Sequence, residues 1–154
     1  MNKQERLHNV KRMNLQWMLL RLMFALPTGV LVYYFLQSQG SPMIMATFLL
    51  SLTSAASILF MREARFVKAL TTHDQVKKVI GIQYQLDYLF VIMMAVIFPM
   101  MMRLNILTNL IPFLLFVGGS ALIWFTQHKL DQQLSWMDTE QPTRREIQRT
   151  RFMW

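Results

Sequence analysis

Two ionisable side chains, Arg21 and Asp87, stand inside long apolar runs, each about one turn from the end of its run that borders basic residues. A charge buried in lipid is costly, so such residues mark either function or a mutual pair. A guanidinium and a carboxylate at matching depth could satisfy one another and pin the first run against the third. The alternative is that each snorkels separately to the headgroups, which their shallow depth allows. Proton or ion coupling calls for an acidic group nearer the midplane, and Leu, Phe, Met, Ser and Thr occupy that level.

Other chemistries find little support. The chain has no Cys, which excludes disulfides, thiolate nucleophiles and Cys-ligated metal centres together. His8, His73 and His128 are scattered at spacings that fit no zinc pattern. Fourteen Met include Met43, Met45, Met100, Met101 and Met102 near one end of the apolar runs. Thioethers bind Cu(I), but neither Cys nor a nearby His completes a site, and Met is also an ordinary flexible packing residue. There is no nucleophile elbow, phosphate-binding glycine loop, Glu-x-x-His pair or close carboxylate dyad. The expectation is a protein that is not an enzyme and has no catalytic residues, metal or cofactor.

The elements that would position Arg21 and Asp87 are four apolar stretches, at about 18–36, 43–61, 84–102 and 107–124 of a 154-residue chain. Each is near the length of about 20 residues that an α-helix needs to cross a bilayer. With 54% hydrophobic and 16% charged residues and a mean hydropathy of +0.29, the fold class is an all-α polytopic membrane protein. Residues 1–154 form a single membrane domain. The basic start followed by a long, aromatic apolar run lacks a signal-peptide cleavage site, so the first span is read as retained.

The net charge of +8 is therefore read as a topology signal before any nucleic-acid footprint. Lys3, Arg6, Lys11 and Arg12 precede the first span. Arg62, Arg65, Lys68, Lys77 and Lys78 separate the second from the third, and Lys129, Arg144, Arg145, Arg149 and Arg151 follow the fourth. The other two loops hold only Arg103. This positive-inside pattern puts both termini in the cytoplasm and the chain in the plasma (inner) membrane, with the bilayer as a partner and no nucleic acid. Short outer loops then make two antiparallel hairpins, a four-helix bundle. Pro27 and Pro99 sit in loosely similar apolar contexts, but the surrounding residues do not match, so no internal repeat is read; with Pro112 they should bend their spans or free carbonyls.

Several helices should outrun the bilayer. A cytoplasmic helical hairpin is expected over about 62–83, turning at Thr71 and Thr72, with a capping box from Thr72 to Gln75 and a stripe of Val76, Val79 and Ile80. In the cytoplasmic C-terminal segment, about 127–154, Leu130, Leu134 and Met137 continue one face of span four. Thr143 and Glu146 form a second capping box there. Arg144, Arg145, Arg149 and Arg151, close to terminal aromatics, read as a lipid- or partner-facing element, or else as a frayed basic tail. Leu7, Val10, Met13 and Trp17 suggest a segment lying on the membrane surface, with Trp17 at headgroup level.

Small residues complete the pattern: Ser51, Ser54 and Ala55 in span two, Gly118 and Gly119 in span four. They allow close helix contact in lipid, within the chain or with another subunit. The resulting expectation is a non-catalytic accessory, assembly or regulatory membrane protein that binds other membrane or cytoplasmic components. The alternative is a small homo-oligomeric transporter or pore.

Overall fold

A computed structural model describes residues 2–37, 41–103 and 110–150. Among them the chain is all-helical, and four helices are long and apolar enough to cross a membrane. They are α1 (Lys3–Gln37), α2 (Pro42–Ala69), a third helix over Asp74–Arg103 and α5 (Leu110–Met137). The third helix comprises α3 (Asp74–Ile92), one π-helical turn (Met93–Ile97) and α4 (Phe98–Arg103). A short helix, α6 (Arg144–Thr150), follows. The connections after α1 and after Arg103 include residues outside the described set, where Arg151 and the terminal aromatics also lie.

At 35 residues, α1 is about 52 Å long at 1.5 Å per residue, well beyond a hydrocarbon core of about 30 Å. The surface-lying N-terminal segment is thus corrected: nothing between Lys3 and Met18 breaks a helix, and Val10 and Asn14 are buried on the bundle side. The helix also continues through Pro27, as α5 does through Pro112. Among the described residues only the third helix departs from α geometry, in the π turn just before Pro99. Proline removes an N–H and crowds the carbonyl four residues back, here that of Ala95 within the turn.

Side-chain contacts tie each helix to its neighbours. Arg21 on α1 meets Glu63 on α2. On α2 and α3, Glu63 meets Tyr84, and the Phe60 and Tyr88 rings lie 6.2 Å apart. Between the third helix and α5, Gln83 meets Asp131, Asp87 meets Gln127, and the Phe98 and Phe116 rings are 4.8 Å apart. The end holding the start of α1, the Leu70–His73 turn and α6 is called the charged end below.

Each end has its own packed cluster. Phe35, Leu49, Ala95 and Val96 fill the end opposite the charged one, with Met45 and Met100 against them and the Arg103 guanidinium over the Phe35 ring, 5.0 Å from its centre. In lipid this cluster is held by close packing, because water is not there to expel apolar surface. At the charged end Val10, Val67, Val76, Ile80, Leu134 and Ile147 draw α1, α2, α3, α5 and α6 into one core.

The turn between α2 and α3 differs in detail from the expected capping box. Helix α3 begins at Asp74 with His73 as its N-cap and no side-chain cap bond. The hydroxyl of Thr71 is the one engaged: it donates to Asp138 Oδ2 at 3.0 Å and accepts from the His73 N–H at 3.3 Å. The other capping box forms as its spacing requires, with the Thr143 N–H donating to Glu146 Oε2 at 2.8 Å.

Candidate functional site

Apart from Thr53 in the middle of α2, the buried polar residues among those described converge at the charged end. Arg144, the first residue of α6, is only 1% exposed and inserts its guanidinium between α2 and α3. Its Nη1 donates to Glu63 Oε1 at 3.1 Å, its Nε donates to Asp87 Oδ2 at 2.8 Å, and its Nη2 also pairs with Asp87. The Tyr84 ring lies beneath it, 3.9 Å from the guanidinium carbon, a cation–π contact in a desolvated setting. Burial opposes the charge on Arg144, yet Tyr84, Asp87 and Glu63 outweigh it and raise its pKa above the ordinary arginine value.

Each carboxylate in the cluster has several donors. Glu63 also accepts from Arg21 Nη2 at 2.6 Å and from the Tyr84 hydroxyl at 2.9 Å. Asp87 also accepts from Gln127 Nε2 at 2.6 Å. Asp131 accepts from Gln83 Nε2 at 2.8 Å and from the Arg144 and Arg145 N–H groups at 2.8 and 3.3 Å. It thereby binds the N-terminus of α6, whose free N–H groups favour a negative charge. Arg21 Nη2 additionally donates to the buried Asn14 side chain at 2.9 Å.

A second layer lies closer to water. Arg6 Nη1 donates to Asp138 Oδ2 at 3.1 Å and to Gln141 Oε1 at 2.9 Å, and Lys3 pairs with Glu146 at 2.9 Å. Desolvation works against the charge on Asp138, but donors on Arg6 and Thr71 prevail and lower its pKa. Glu146 behaves alike, with Lys3 and Thr143 overcoming desolvation. The start of α1 and the start of α6 are thus tied together.

The arrangement reassigns the residues singled out in the sequence. Arg21 and Asp87 are not brought together: Arg21 goes to Glu63 on the adjacent α2, and Asp87 faces α5 and α6. Among the described residues, ion pairs link them through the series Arg21, Glu63, Arg144, Asp87. Arg144 is not lipid- or partner-facing, because it shares with Ile147 the inner face of α6, three residues apart on one side of the helix. Arg145 and Arg149 are exposed on the other side, Arg145 lying 5.4 Å from the centre of the Trp124 ring. Arg151 lies outside the described residues.

Among the small residues only some pack. A Cβ at Gly119 would lie 2.7 Å from Met93 Cε, whereas one at Gly118 would meet nothing within 4 Å. Ser51 and Ser54 are exposed, Ala55 is half-buried, and Thr53 takes the inward position on α2. No group of three or more His, Cys, Asp or Glu that could hold a metal occurs among the described residues. Of the histidines, His8 and His73 are exposed, and His128 is half-buried and stacks on Trp124.

Glu63, Asp131 and Gln127 are not candidates on sequence alone, although register points to the last. A connection centred near residue 107 places 87 opposite 127. The connection after α1 lies between Gln37 and Pro42, so simple register places residue 21 opposite about residue 58 and does not find Glu63. Asp131 required knowledge of where α6 docks. No protein-family model, curated protein or solved structure matches the chain.

Proposed function

We propose that the chain is a non-catalytic accessory, assembly or regulatory protein of the plasma (inner) membrane that acts by binding other membrane or cytoplasmic components. In this reading the helices form two antiparallel hairpins with both termini in the cytoplasm, and the charged end is the cytoplasmic rim. The observation that carries it is how the intramembrane charges are used. Arg21, Glu63 and Asp87 belong to a multiply bonded network that seats α6 at one end of the bundle. Such a network fixes a helix in place; a transported proton or ion would need a group that gains and loses its partners.

The outward faces suit a binding role. On α2, Thr47, Ser51 and Ser54 form an exposed small stripe, and the Thr47 and Ser51 hydroxyls donate to carbonyls one turn back. Such a surface lets another helix approach closely in lipid. A second reading, a small homo-oligomeric transporter or pore, draws on the π turn at Met93–Ile97, because such turns often accompany functional sites.

Purification in mild detergent, with the mass of the complex and its constituents determined, separates the two. A defined hetero-complex that dissociates in the Ser51→Leu/Ser54→Leu double variant is expected. A homo-oligomer that moves solute across liposomes would replace the first reading with the second.

A further inference from the structure

Two cavities meet along the seam between α1 and α2, and their linings differ. The first, about 530 Å³, is at the charged end and includes Arg12, Trp17, Arg21, Arg62 and Glu63 in its wall. The second, about 570 Å³, lies deeper among α1, α2 and α3, lined by Phe24, Thr28, Val32, Ala56, Phe90 and Met94 among others. Arg21, Leu59 and Glu63 line both, so a polar mouth leads directly into an apolar chamber. Ala25, Gly29 and Met94 in the chamber wall are exposed, which opens it on the outer surface of the bundle.

We propose that this groove binds one anionic phospholipid, with its phosphate at Arg12 and Arg62 and one acyl chain in the apolar chamber. Charge identifies the head: three arginines stand at the mouth against a single carboxylate, Glu63, which is already bonded by Arg21, Arg144 and Tyr84. Arg12 and Arg62 are exposed, have no ion pair among the described residues, and Arg62 is braced on the Trp17 ring, 5.2 Å from its centre. Tryptophan beside arginine is a usual headgroup-level arrangement.

Depth identifies the tail. Along α1 the chamber extends from Arg21 to Val32, which is about 16 Å at 1.5 Å per residue. Half of a hydrocarbon core of about 30 Å is about 15 Å, so the chamber reaches as far as one leaflet does. The ligand therefore comes from the leaflet at the charged end, where an acyl chain can enter sideways through the open wall without leaving apolar surroundings. A soluble phosphate would use the mouth and leave the chamber empty.

The test is native mass spectrometry of the delipidated full-length chain in detergent, titrated in parallel with phosphatidylglycerol, phosphatidylcholine and glycerol phosphate. One bound phosphatidylglycerol is expected, favoured over phosphatidylcholine, with no glycerol phosphate bound at concentrations that saturate the lipid site. The Arg12→Gln/Arg62→Gln variant, changed only at exposed positions, should bind phosphatidylglycerol roughly 30-fold more weakly, equivalent to about 2 kcal/mol. Gly29→Phe, placed where an added side chain meets open space, should weaken both lipids alike. Equal binding of the two lipids, full binding by the arginine variant, or binding of glycerol phosphate as tight as that of the lipid would overturn the assignment. So would a mass increase of a second 18.3 kDa chain in place of lipid, which would give the groove to another copy.

Discussion

Replacing Arg144 by Met removes the charge that joins α6 to the bundle while keeping much of the apolar stem. Three donors leave their carboxylates, two from Asp87 and one from Glu63, and the contact over Tyr84 is lost. Removing one partner of a buried pair costs about 3–5 kcal/mol, mainly because a buried charge is left unmatched. Both carboxylates keep other donors, Glu63 from Arg21 and Tyr84, Asp87 from Gln127. The cost should therefore fall at the lower end, about 3 kcal/mol.

Because the chain has no Cys, a single Ile147→Cys probe makes this measurable. Ile147 is 2% exposed in the core at the charged end, so a thiol there reacts with a maleimide only when α6 opens. If opening precedes labelling, about 3 kcal/mol corresponds to a rate increase of roughly 150-fold, up to the rate of a fully exposed thiol. Adding Asp87→Asn to Arg144→Met removes one orphaned charge and should restore part of the protection. An Arg144→Met rate within about threefold of the parent, or a double variant that loses the sum of both single effects, would refute the network as the clamp on α6.

Three further outcomes follow from the same geometry. In a double-substitution cycle in detergent, Arg21→Met and Glu63→Gln should couple by about 1 kcal/mol or more, whereas Arg21→Met and Asp87→Asn, which share no bond, should couple less. Gly119→Leu should lower unfolding stability by about 1–3 kcal/mol by pushing α5 off Met93, while Gly118→Leu stays within about 0.5 kcal/mol. The carboxyl pKa values of Asp138 and Glu146 lie below their ordinary values of 3.8 and 4.5, Asp138 held there by Arg6 and Thr71 and Glu146, on α6, by Lys3 and Thr143. Their contribution is thus full above the ordinary values and is lost as pH falls through the lowered ones. Hydrogen exchange over residues 144–150, corrected for intrinsic rate, should show protection falling as pH is taken below these ordinary values; constant protection would contradict it.

What could be read along the chain was whatever the bilayer imposes on composition. Four helices long and apolar enough to span are a matter of run length. The run of α2 beyond the apolar stretch, the end of α5 at Met137 and the cap at Thr143 and Glu146 all follow from local propensity and spacing. The partners of the charges were a tertiary matter. Arg21 and Asp87 share a depth, but the facing of α1 toward α2 and of α3 toward α5 decides which carboxylate each cation meets. Arg144 looked like one of several surface arginines, since nothing local distinguishes it from Arg145. Its burial arises because Asp131, thirteen residues earlier on another helix, holds the α6 N-terminus and turns one side of a short helix inward. Composition determined that this chain occupies a membrane, because apolar length is a property of each segment alone. Only packing decided which charges hold it together, because pairing depends on the relative rotation of helices.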